Sequence, residues 1–196
     1  MKATFFERLG AYFLDMLAIT VIFSIICLGL GNNTSDTEKE MQALDDKLMK
    51  EEISMEEYYK EYSNLLYDYQ KENILQSGIS VALTIAYYVV FQYMNKGQTI
   101  GKKLLKIQVV DKDTNKPISI IKGLLRTFII LSILSGTLNI LFLYIFNSNK
   151  YIISYSVILM IEAIFVLIST MFVLYRKDRR GLHDMISNTI VVKESR

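Results

Sequence analysis

The chain is poor in residues that build chemistry. It holds one cysteine, one histidine and one proline among 196 residues. With Cys27 alone, no disulfide can close within the chain, and its place in an apolar run predicts a buried, inert thiol. With His183 as the only histidine, a multi-histidine metal site cannot form. No P-loop, nucleophile elbow or zinc-ligand spacing occurs, so neither an enzyme nor a cofactor is expected. The first apolar run is too long for a signal peptide and carries no small-x-small cleavage site, so it is expected to stay.

What is abundant is apolar side chain, 52% of the chain, bunched into four runs at about 9–30, 74–94, 123–146 and 151–175. Each is long enough to cross a hydrocarbon core, which takes about 20 helical residues. The formal charge of +2 conceals an asymmetry between the connecting segments. Residues 31–73 hold twelve acids and five lysines, residues 95–122 seven lysines and two aspartates, and residues 176–196 six basic residues and three acids. Basic segments stay inside, which places both termini and the 95–122 loop in the cytoplasm, with 31–73 and the NSNK turn at 147–150 outside. The expected fold is an all-α integral membrane protein. It is a four-transmembrane-helix bundle with an acidic extracytoplasmic helical excursion and a small cytoplasmic β element, a single domain over 1–196.

The excursion reads as two helices, each opened by a capping box, Ser35 with Glu38 and Ser54 with Glu57. Each carries one apolar stripe, and no breaker separates the second from the run that follows. It serves either as a cap or partner-binding hairpin, or as a solvated excursion without a role. In the basic loop, Thr99 is placed to cap a short helix whose Lys102, Lys103 and Lys106 approach anionic headgroups while Leu104 and Leu105 dip inward. KIQVV and NTIVV read as short strands that could pair beneath the bundle. Asp111 to Lys116 is turn chemistry, and Pro117 fixes the exit toward the third run. The exits NKGQTIGKKLLKIQVV and DRRGLHDMISNTIVV look alike, through either helix-pair duplication or convergent interface chemistry. Beside a bilayer the lysines point to anionic lipid rather than nucleic acid.

RLGAYFLD at the N-terminus, GQTIGKKLLKIQVVD, Arg126 and RRGLHD before NTIVV together resemble the RDD family of membrane proteins, named for one arginine and two aspartates. On that match the arginine falls on Arg8 and the aspartates on Asp15 and Asp184, with 31–73 as an insertion. The resemblance implies a small bacterial inner-membrane protein for which ligand transport is suggested.

The ionisable residues of the runs are the candidate site. Arg8 and Asp15 are seven residues apart, nearly two helical turns, and share a face. An aspartate at mid-helix costs about 2.5–3.5 kcal/mol, so Asp15 should face the bundle. Arg126 is expected as its partner, while Arg8 reaches Asp184. These four form either a gate or a buried cluster that fixes register. Glu162 stands alone near the middle of the fourth run, where hydrocarbon favours the protonated acid. Asn139, Thr137 and Ser135, with Thr84 and Ser80, are its candidate neutral ligands. Either it carries a proton or cation, or it is a neutral acid holding helices together. Ser132 and Gly136 permit close packing in the third run, and His183 beside Asp184 reads as an interfacial side chain rather than a metal dyad. The leading expectation is a small transporter, proton-linked or exchanging a cation such as sodium for protons, with Asp15 and Glu162 as carriers and Arg126 and Arg8 as charge partners, acting as a homodimer. The alternative is a non-transporting membrane protein that binds a partner or lipid through its outer helices or basic face.

Overall fold

Apolar segments that meet hydrocarbon must satisfy their backbone hydrogen bonds internally, and helices do this without partners. The computed structural model describes residues 1–30 and 36–194. Its first element is α1 (Phe5–Leu30). A hairpin follows, formed by α2 (Asp36–Met49) and α3 (Met55–Glu72). Next comes α4 (Ile74–Ile85), which passes through a π-helical segment (Ala86–Phe91) into α5 (Gln92–Met94). The short helix α6 (Ile100–Leu104) then leads into strand β1 (Ile107–Asp111). Helices α7 (Ile120–Thr127), α8 (Ile133–Ile145) and α9 (Ser148–Tyr175) follow, and α10 (Leu182–Ile186) leads into β2 (Thr189–Lys193).

Among the described residues, three helices are long and apolar enough to cross a bilayer: α1, the helix Ile74–Met94 and α9. Their outward faces are greasy, with Leu17, Val21, Ile25 and Leu28 of α1 and Ile153 and Leu167 of α9 all exposed. So continuous an apolar surface suits lipid and not water.

The expected third span, 123–146, is not one helix. It is divided between α7 and α8 by a turn over residues 128–132, with Ser132 in the left-handed region at φ 56°. The sequence around the break is rich in hydroxyls that compete for helical carbonyls. Thr127 Oγ1 donates to the carbonyl of Gly123 at 2.9 Å, and Ser135 Oγ donates to that of Ser132 at 3.3 Å. Leu134 N bonds back to Phe128 O at 2.9 Å and closes the turn.

At one end of the bundle, β1 and β2 pair antiparallel with Val109 opposite Val191, as the two Val-Val stretches suggested. The N-terminus lies along β2, with Ala3 N bonded to Val191 O and Lys193 N to Met1 O. Ala3, Ala11, Ile107, Val109, Ile118 and Val191 form the core that joins this sheet to α1. Gly97, at φ 88°, lies so close to the Val109 carbonyl that a Cβ would collide with it.

At the opposite end the hairpin roofs the bundle. Both bonds of the Ser54–Glu57 capping box are present; the Ser35–Glu38 pattern begins outside the described residues. Only Asn73 separates α3 from α4, as the missing breaker suggested. Tyr67 Oη donates to the carbonyls of Phe146 (2.8 Å) and Leu143 (3.2 Å), capping the end of α8.

Candidate functional site

Two carboxylates anchor the sheet end, and each sits at the start of a short helix. Asp184 is fully buried. Its Oδ2 receives Arg8 Nη1 at 2.6 Å and Gly181 N at 3.1 Å, and its Oδ1 pairs with Arg126 Nη1. Arg126 also donates to Thr189 Oγ1 on β2 at 3.0 Å, and Arg8 Nη2 to the Arg179 carbonyl at 2.7 Å. Arg180 ties the carbonyls of Thr189 and Asp184 together, at 3.0 and 3.1 Å. Burial alone would raise the Asp184 carboxyl, but Arg126, His183 and Arg8 outweigh it and hold it below the usual carboxylate range. A carboxylate so supplied with donors stays charged.

His183 places Nδ1 2.6 Å from Ser169 Oγ and Nε2 3.4 Å from Asp184 Oδ1. Burial is the main influence and pushes its imidazole down to about 3, against the pull of Asp184, so the ring is neutral. Among the described residues no group of three or more His, Cys, Asp or Glu could hold a metal.

Asp15 does not meet Arg126, contrary to expectation. Its Oδ1 accepts from Tyr87 Oη at 2.6 Å and from Gly101 N at 2.7 Å, and its Oδ2 accepts from Thr99 Oγ1 at 2.6 Å. These donors supply what a cation would have supplied, and Arg126 is drawn instead to Asp184. The aspartate thus caps α6 from a different helix, at an end whose dipole favours negative charge. Thr99 accordingly spends its hydroxyl on Asp15 and not on its own helix. Gly101 is needed here because a Cβ would collide with the Ala11 carbonyl.

The docking of α6 changes the expected orientation of one of its lysines. Leu104 faces outward, while Lys102 turns inward, with Nζ 2.9 Å from Gln92 Oε1 and 5.6 Å from the Tyr88 ring centre. Burial holds its ammonium down to about 7, with Asp15 pulling the other way. Tyr87, Tyr88 and Gln92 come inward together because the widened π turn carries consecutive residues to one side. Tyr87, Tyr88, Gln92, Thr99, Gly101 and Lys102 were all missed as site residues, because nothing in periodicity marks a π turn. The GQTIGKK motif carried the only signal.

Between the two clasps lies a cavity of about 280 Å³, lined by Arg8, Asp15, Tyr88, Gln92, Lys102, Arg126 and apolar side chains that include Leu131. A second, larger hollow of about 760 Å³ opens among α1, α4 and α8 toward the hairpin, and Leu131 lines it as well, beside Ser132, Ser135, Thr84 and Asn139. Glu162 lines neither cavity but bonds to Ser132, which lines the outer one. Its Oε1 accepts from Ser132 Oγ at 2.5 Å, across the break in the third run, and its Oε2 is buried without a hydrogen-bond partner among the described residues.

The expected ligands of Glu162 are engaged elsewhere. Asn139 accepts from Tyr151 Oη at 2.5 Å and donates to Gln70 at 3.2 Å, while Thr84 and Thr137 donate to carbonyls of their own helices. Asn139, Thr84, Ser80 and Ser135 line the outer hollow without bonding Glu162. Ser132, read from sequence only as a packing residue, is the partner.

These features define a helical membrane protein whose buried ionisable residues gather at the sheet end and at one break in a helix. A family model for the RDD family matches residues 2–188, and the chain belongs to that family. No curated protein and no solved structure matches it. The residues onto which the resemblance puts the arginine and two aspartates of the family's name divide between the clasps, with Arg8 and Asp184 in one and Asp15 in the other.

Proposed function

We propose that the protein exchanges a small cation such as sodium for protons, with Glu162 as the shared site. The observation that carries this reading is the buried Glu162 Oε2, which has no partner among the described residues, on an acid bonded to Ser132, a residue of the helix break that lines the outer hollow. Discontinuous helices expose backbone and hydroxyl oxygens at membrane depth, which is where transporters place their ions. In the exchange, the protonated acid releases its proton as the cation takes its place on the carboxylate, with Ser132 Oγ as a neutral ligand beside it. The outer hollow supplies one side of the route and the inner cavity the other, with Leu131 and the Ser132–Glu162 pair between them. The basic segments support a cytoplasmic sheet end, in a protein of the bacterial inner membrane. Asp15, Arg8 and Arg126 then form part of the inner wall of the route, with Asp184 holding the two arginines in place. The expected homodimer would carry two such routes.

Flux tests this directly. Purified protein in sealed vesicles, with an internal pH dye and an imposed sodium gradient, is expected to move protons. Glu162→Gln is expected to abolish the movement. If wild-type protein moves neither sodium nor protons at neutral or mildly alkaline pH, the reading is wrong.

A further inference from the structure

The inner cavity holds hydrogen-bond donors that the protein does not use. Tyr88 and Gln92 are both buried, at 4% and 1% exposure, and Tyr88 Oη and Gln92 Nε2 have no partner among the described residues. Both line the cavity, and so does Lys102, whose Nζ spends one bond on Gln92 Oε1. The nearby carboxylates are already supplied: Asp15 by three neutral donors, Asp184 by two arginines. Among the described residues no carboxylate pairs with Lys102. A half-buried ammonium beside two orphaned buried polar atoms lacks an acceptor that carries negative charge. The lowered ammonium of Lys102 is what such an incomplete site would show. The rest of the lining is apolar, including Leu9, Ile130, Val166 and Val173.

We propose that this cavity binds an anionic amphiphile, with its carboxylate or phosphodiester oxygens received by Lys102 Nζ, Gln92 Nε2 and Tyr88 Oη, and its hydrocarbon against Leu9, Ile130, Val166 and Val173. The position of Nζ beside both Gln92 and the Tyr88 ring brings the donors within reach of one headgroup. Fatty acid and anionic phospholipid share this chemistry. The inference is independent of cation exchange, since it uses none of the contacts of Glu162.

Native mass spectrometry and thermal unfolding of the full chain in a neutral detergent test it, with oleate, dioleoylphosphatidylglycerol, dioleoylphosphatidylcholine and acetate as probes. Oleate or the phosphatidylglycerol is expected to bind and stabilise, and the phosphatidylcholine and acetate are not. Lys102→Met is expected to weaken that binding by at least about tenfold, the loss of one charged hydrogen bond. If that variant fails to fold, Gln92→Leu is expected to weaken binding in the same direction. Glu162→Gln is expected to bind lipid as wild type does. The proposal is overturned if neither anionic lipid binds, if the folded cavity variants bind as wild type, or if acetate stabilises as well as oleate.

Discussion

Asp15 and Asp184 are both fully buried carboxylates, yet they are held by different chemistry. Asp184 is met by two arginines, so removing one leaves a buried charge half compensated. Arg126→Ala is expected to cost about 3–5 kcal/mol in unfolding measurements. Replacing Arg126 and Asp184 together with leucine should cost clearly less than the sum of the two single changes. Asp15 is met by neutral donors, and Asp15→Asn forces at least one of Tyr87 Oη, Thr99 Oγ1 and Gly101 N to face an amide donor. That variant is expected to lose about 1–3 kcal/mol; an unchanged melting temperature would show that the clasp contributes nothing. Lys102 works in the opposite direction. Its half-buried ammonium makes no ion pair with an acid among the described residues, so Lys102→Met should raise the melting temperature of lipid-free protein while it weakens lipid binding.

At the scale of elements, the two alike exits of the sequence become two alike pieces of structure, each a short helix followed by a strand. Asp15 caps α6 ahead of β1, and Asp184 caps α10 ahead of β2. The resemblance of the two stretches therefore has a physical counterpart in how each strand is positioned. Run length was enough to read three helices, β-branched composition the paired strands, and the RRGLHD motif with the Arg8 face the Arg8–Asp184 contact. The break in the third run was not legible, because an apolar stretch of helical length gives no sign of where its hydroxyls will win the competition for carbonyls. The partner of Asp15 was misread for a related reason. Sequence reasoning looks for an opposite charge, whereas here a backbone N–H, a threonine and a tyrosine did the same work. The break itself can be probed at Ser132. Left-handed backbone costs a non-glycine residue about 1–2 kcal/mol, so Ser132→Gly should keep the fold stable while removing the hydroxyl that Glu162 accepts from. Flux in that variant is expected to fall with no loss of melting temperature, whereas loss of fold would mean that the hydroxyl and not the turn holds the break.

At the scale of the whole molecule, the sheet end ties together both termini, α6, α7 and α10, so its charges should govern stability against acid. His183 is held neutral in the fold, down to about 3 from an ordinary 6.5. The unfolded chain therefore binds more protons between those values, and stability is complete above 6.5 and lost as pH falls toward 3. Asp184, depressed below its ordinary value, adds a further loss at still lower pH. The melting temperature is expected to fall progressively below pH 6.5 in wild type, and His183→Asn should flatten the upper part of that fall. Inside this frame Glu162 is the one acid of the apolar core with an oxygen that no described donor meets, and the claim that it shares its site between proton and cation is open to a direct measurement. Adding sodium to unbuffered, purified protein at mildly acidic pH should release protons into solution, seen with a pH dye. Wild type and a folded Asp15→Asn variant should both release them, and Glu162→Gln should not. Release of the same size from Glu162→Gln, or none from wild type, would contradict the account.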